Sequence, residues 1–224
     1  MNTLTASDGH QLAYYQAHPA QTPRGGVLVI QEIFGVNAHI RSICDTYASH
    51  GYSALAPALF DRVERGVELG YDDEGTRRGL ELINQLNVGD VLKDLQAGVD
   101  ALAAFGRVGA VGNCWGGSWT WTAACKLSNL AAASSCYGAA IPRQIDSAPL
   151  DSVPRAPIIL HLGEQDAMIP VSNIDRVRKA HPDVPIYMYP SGHGFNCDAR
   201  DSYHAESAKL ALQRTLDLFA KRVG

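Results

Sequence analysis

Val111-Gly112-Asn113-Cys114-Trp115-Gly116-Gly117 sets a cysteine among glycines, directly after the run Arg107-Val108-Gly109-Ala110-Val111. A structural cysteine packs as a small apolar side chain and has no need of glycine on either side. A nucleophile that projects from a sharp strand-to-helix turn does need it, because the two backbones crowd there. Gly112-Asn113-Cys114-Trp115-Gly116 is G-x-S-x-G with cysteine in the serine position. A helix starting at Trp115 adds free N–H groups and a positive dipole end, which favour a thiolate and bind an oxyanion. Cys44, Cys125 and Cys136 fall in helix or strand patterns and read as buried small residues.

Outward from this turn the chain alternates strands and helices. Gly26–Ile30 is a short, continuous apolar run, as expected of a strand buried on both faces. Residues 41–50 carry helical spacing and stop at Gly51, and 52–56 form a strand ended by Pro57. Residues 61–75 read as a surface excursion, followed by helices over 76–86 and 88–104. The strand 107–112 and helix 115–126 flank the cysteine. Strands are predicted at 130–135, 158–162 and 186–189, helices at 171–180 and 203–222, and a loop through Pro142, Pro149, Pro154 and Pro157. Leu4 to Gln16 reads as two strands around Ser7-Asp8-Gly9-His10, whose Asp-Gly is a hairpin signal. This is an α/β pattern with a mostly parallel central sheet and helices on both faces. Its ligands are expected beyond the carboxyl ends of the strands.

The 224 residues, 46% apolar, suit one core and a single domain over 1–224. The net charge of −4 and the lack of a Lys/Arg run argue against nucleic acid as a partner. Met1 to Thr5 has no signal-peptide pattern, and no run approaches the roughly 18 apolar residues of a membrane span. Five cysteines without paired spacing disfavour a disulfide framework and fit a reducing cytoplasm. Nothing in the sequence fixes the oligomeric state; a monomer is the simpler expectation.

A cysteine nucleophile needs a base, and the base an orienting acid, in the chain order nucleophile, acid, histidine. His161 sits inside a strand and reads as a hydrogen-bonded core residue. His181 lies at a helix end and His204 in the last helix. His193, in Ser191-Gly192-His193-Gly194-Phe195, follows a strand and has glycines that let the loop carry its imidazole over the strand ends. The acid should follow the preceding strand, which makes Asp166 the first choice and Glu164 the second. Glu32 stands at a strand's carboxyl end beside Ile33 and Phe34, so burial is expected, and a buried carboxylate needs a cation or hydrogen bonds.

Gln31-Glu32-Ile33-Phe34-Gly35-Val36-Asn37, Gly112 to Gly117, Asp166 and His193-Gly194-Phe195 together resemble the dienelactone hydrolase family, in order and from about Leu28 to Phe219. The resemblance implies an α/β-hydrolase fold, a Cys114–His193–Asp166 triad and a small lactone or other activated ester as substrate. It implies that Glu32 takes the thiol proton when substrate binds. It also implies that the backbone N–H groups of Ile33 and Trp115 hold the oxyanion. Of two arginines that grip a substrate carboxylate in the best-known members, Arg77 matches one place, and Cys197 stands at the other. Arg200, three residues on, is a possible substitute, and the resting partner of Glu32 is left open. His193 and Cys197 as a metal pair lack further ligands in the sequence, so no metal and no cofactor are expected. Two other readings stand beside this one: a carboxylesterase of different or broader ester choice, and a non-hydrolytic thiol protein for binding or redox work. The intact Cys-Asp-His set argues against the second, since binding alone needs no oriented base.

Overall fold

Alternate residues of β3 (Gly26–Ile30) point to opposite faces of the sheet, and both faces are apolar. Val27 and Val29 pack with Ile40, Cys44, Tyr47, Phe219 and Val223. Leu28 and Ile30 pack with Val91, Leu95 and Val99. β4 (Ser53–Pro57) divides in the same way, Ala54 and Ala56 to the first face and Leu55 to the second. Such strands read as continuous apolar runs because neither face meets water. The computed structural model describes residues 2–224.

The sheet has eight strands in the order β1-β2-β4-β3-β5-β6-β7-β8. β1 (Asn2–Thr5) and β2 (Gln11–Ala17) form the expected hairpin, and β2 pairs antiparallel with β4. β3 to β8 run parallel: β5 (Val108–Asn113), β6 (Leu130–Cys136), β7 (Ile158–Gly163) and β8 (Ile186–Tyr189) follow in chain order. The strand order reverses between β3 and β5, so the crevice at their carboxyl ends is the place where such sheets bind ligands.

One face is covered by α1 (Ala38–Ser49) and α7 (Ala205–Arg222), the other by α3 (Val88–Leu102) and α4 (Trp115–Lys126). α1 begins earlier than its apolar spacing suggests, because Asn37 caps it by accepting from the Ile40 N–H. α2 (Asp73–Ile83) likewise starts inside the segment read as an excursion, capped by Asp72 on the Gly75 N–H. The proline-rich segment contains a helix that the sequence reading missed: α5 (Ile141–Ser147) carries Pro142 in its first turn, where no N–H is needed, and buries Ile141 and Ile145. α6 (Val171–Ala180) lies where expected. No helix among the described residues is long and apolar enough to cross a membrane.

Candidate active site

Cys114 occupies the turn between β5 and α4 with φ 53° and ψ −118°, a left-handed backbone for a non-glycine residue. Its N–H donates to the Cys136 carbonyl (3.0 Å) and its carbonyl accepts from the Ser118 N–H (3.2 Å). The glycines around it are required by contact. A Cβ on Gly112 would lie 2.3 Å from the Gly116 oxygen, one on Gly116 2.3 Å from the Ile30 oxygen, and one on Gly117 2.4 Å from the Cys136 oxygen. The turn is therefore wedged against the ends of β3 and β6. Cys114 alone of the five cysteines is only half-buried; the other four are buried. Trp115 is the first residue of α4, so its N–H has no partner within the helix.

His193 Nδ1 and Asp166 Oδ2 are 2.8 Å apart. Asp166 is buried, and its other oxygen accepts from the Met168 N–H (2.8 Å), which fixes the carboxylate plane. Gly163, at the end of β7, lets the histidine loop close over it: a Cβ there would meet the Ser191 oxygen at 2.3 Å. The edge of the fully buried Tyr137 ring packs on the imidazole with centroids 4.9 Å apart. Burial lowers the imidazole's pKa, but the hydrogen bond to Asp166 and the hydrogen bond and charge of the Cys114 sulfur outweigh it and raise the value to about 9. Glu164 is exposed, and Asp166 is the carboxylate that meets the imidazole. His161 is buried between the Tyr189 hydroxyl (2.7 Å) and Thr215 Oγ1 (3.3 Å), as expected of a core histidine.

Glu32 has no exposed surface. Its Oε2 accepts from the Tyr71 hydroxyl (2.8 Å), while Oε1 has no hydrogen-bond partner. Burial and the Glu32 carboxylate both push the Tyr71 phenol upward, so it stays a donor. Gln31 fastens the loop, donating to the Glu32 carbonyl (3.3 Å) and accepting from the Leu59 N–H (2.9 Å). Gly79 of α2 abuts the Ile33 carbonyl, which a Cβ would approach to 2.2 Å. Cys197 and His39 stand beside Glu32, with one donor atom of each of the three within 4.8 Å of the others. Cys197 thus faces Glu32. Its thiol is raised to about 11, chiefly by burial, with the Tyr71 hydroxyl pulling it down and Glu32 pushing it up. Tyr71, His39 and Tyr137 had no signal in the sequence, since each reaches the site only through the fold.

The two arginines part company. Arg77 lies on the exposed side of α2, bound to Glu74 and Glu81, and no hydrogen bond or ion pair joins it to Cys114, His193 or Glu32. Arg200 sits over the Tyr71 ring at 5.8 Å and packs against Gly194, next to His193.

A model of the dienelactone hydrolase family matches residues 12–223. A Synechocystis protein named "Putative carboxymethylenebutenolidase" is 35% identical over 93% of this chain and 91% of its own length. The "Carboxymethylenebutenolidase" of Pseudomonas putida is 30% identical over 97% of this chain and 94% of its own. Among solved structures, a Klebsiella pneumoniae protein titled "Putative Dienelactone Hydrolase" superposes with a TM-score of 0.83 at 32% identity, covering 98% of this chain and 97% of that one. Sheet order, the cysteine turn and these matches agree, and the chain belongs to the dienelactone hydrolase family of carboxylic ester hydrolases.

Proposed function

We propose that the protein hydrolyses a small lactone or activated ester carrying a carboxylate, through Cys114, His193 and Asp166, with Glu32 as the base that activates the thiol. The observation that carries this reading is the half-buried thiol on a strained turn, held beside an imidazole that Asp166 orients at 2.8 Å. The hydrogen bond to Asp166 and charge on the Cys114 sulfur favour the imidazolium, so His193 is suited to pairing with a thiolate, and a second base takes the proton as that thiolate forms. Glu32, buried, with one oxygen unpartnered at the end of the strand on which the cysteine turn is wedged, is that base.

Substrate binding lets Glu32 accept the thiol proton, and the thiolate pairs with the His193 imidazolium. The thiolate attacks the carbonyl carbon, and the N–H groups of Ile33 and Trp115 hold the oxyanion. Collapse breaks the C–O bond, and the leaving oxygen takes the proton from His193. Once Sγ carries the acyl group it no longer favours an imidazolium, so His193 remains neutral and deprotonates water. Water attacks the thioester, the thiolate leaves, and Glu32 returns its proton to sulfur while the product acid ionises to solvent.

Single-turnover kinetics with a chromogenic ester test this directly. Cys114→Ala should show no burst and no turnover. Glu32→Gln should slow acylation by at least about 100-fold, the typical cost of a lost general base, while leaving hydrolysis of a preformed acyl-enzyme nearly unchanged. His193→Ala should impair both steps. A normal burst in Glu32→Gln would remove Glu32 from the mechanism.

A further inference from the structure

Glu32 follows β3, His39 lies in the first turn of α1, and Cys197 follows the histidine loop, yet their donor atoms gather in one buried place. Two polar atoms of these side chains, Glu32 Oε1 and His39 Nε2, are buried without any partner. Unsatisfied buried polar atoms are rare and each is costly. Two of them beside a buried thiol suit a positively charged, Lewis-acidic ligand. We infer that Glu32 Oε1, His39 Nε2 and Cys197 Sγ form a site for one divalent cation of the zinc class, with a fourth coordination position open.

The donor set suits that ion: one imidazole, one thiolate and one carboxylate are borderline-soft ligands. The outer shell is in place as well. His39 Nδ1 faces Asp198 Oδ1 at 3.2 Å, so the ring proton sits on that side and the Nε2 lone pair is free. The Tyr71 hydroxyl fixes the other oxygen of Glu32. The donor atoms lie within 4.8 Å of one another, and bond lengths of about 2.0–2.3 Å need only short side-chain rotations to close around an ion. Charge balances too. Cys197 loses its proton to solvent on binding, and thiolate, carboxylate, neutral imidazole and dication sum to zero in a place where an isolated carboxylate is unfavourable. A cavity of about 310 Å³ between α1 and α7, lined by His39, Asp198 and Asn196, gives an approach to the imidazole edge.

Binding would occupy the oxygen with which Glu32 takes the thiol proton, so the metal-bound enzyme is held inactive. This consequence rests on the proposed role of Glu32; the binding site itself does not. The test uses the full chain freed of metal and titrated with Co²⁺, reading the thiolate-to-cobalt charge-transfer absorption together with ester turnover. One Co²⁺ per chain is expected, displaced by Zn²⁺. The absorption should persist in Cys114→Ser and vanish in Cys197→Ser, and His39→Gln should weaken binding at least tenfold. Both His39→Gln and Cys197→Ser should turn over ester without metal and resist inhibition by Zn²⁺. Absorption that vanishes in Cys114→Ser and survives in Cys197→Ser would put the metal on the nucleophile and overturn the site. So would the absence of stoichiometric binding at micromolar Co²⁺. Stoichiometric binding through Cys197 without loss of acylation would sustain the site and count against Glu32 as the base.

Discussion

At Cys114 the backbone holds a conformation that costs a non-glycine residue about 1–3 kcal/mol. Glycine would relieve the strain and abolish the thiol, so the surrounding contacts must hold the turn closed. That local crowding makes the turn itself legible in seven residues of sequence, and the pairing of Asp166 with His193 follows the order of strands and glycines. Glu32 was legible as a buried carboxylate, but its surroundings were not: Tyr71, His39 and Cys197 meet it only because two loops and one helix fold over one strand end. Anion recognition shows the same limit. The family resemblance selects Arg77, yet its guanidinium is held by Glu74 and Glu81, whereas Arg200 stands beside Tyr71 and Gly194. If Arg200 binds the substrate carboxylate, Arg200→Ala should weaken carboxylated lactones by about ten- to a hundred-fold, with little change for neutral esters. Arg77→Ala should alter neither, since it loses only exposed ion pairs. KM and kcat for one substrate of each kind decide between them; selective loss in Arg77→Ala would return the role to that residue.

Among the elements, those that bury a full apolar stripe were legible and those defined by caps or distant ion pairs were not. β3, β5 and α4 match their apolar runs to within a residue. α5 was hidden because Pro142 and the prolines that follow it suggest loop, although a proline in the first turn of a helix removes no hydrogen bond. Charged side chains also tie elements together in ways that no periodicity reveals. Asp94 of α3 is fully buried and receives Arg62 through both carboxylate oxygens (2.9 and 2.6 Å), and the same guanidinium reaches Asp8 in the β1–β2 turn. Removing the cation leaves a buried carboxylate alone, which costs about 3–5 kcal/mol. Arg62→Ala should lose that much in urea unfolding, and Arg62→Met with Asp94→Leu should recover most of it. A loss in Arg62→Ala below about 1 kcal/mol would mean that water replaces the guanidinium.

Across the whole molecule, two histidines with opposite shifts shape stability against pH. Burial, with a smaller contribution from Arg214, lowers His161 to about 3. The unfolded chain takes up that proton below about pH 6.5 and the folded one does not, so stability falls as pH drops from 6.5 toward 3. His193 runs the other way. Its folded pKa is about 9, so its contribution is complete below about 6.5 and is lost as pH rises through 9. Each limb has a limiting slope of about 1.4 kcal/mol per pH unit, and together they place the stability maximum of this pair near pH 6.5. Urea unfolding from pH 5 to 8 should show both limbs, because most carboxylates titrate below that range and the thiols above it. Asp166→Asn removes the charge that holds the imidazolium and should flatten the alkaline limb without changing the acid one. His161→Gln should flatten the acid limb alone. An alkaline limb that survives Asp166→Asn unchanged would show that the 2.8 Å pair is not what keeps His193 protonated, and the need for Glu32 as a separate base would fall with it.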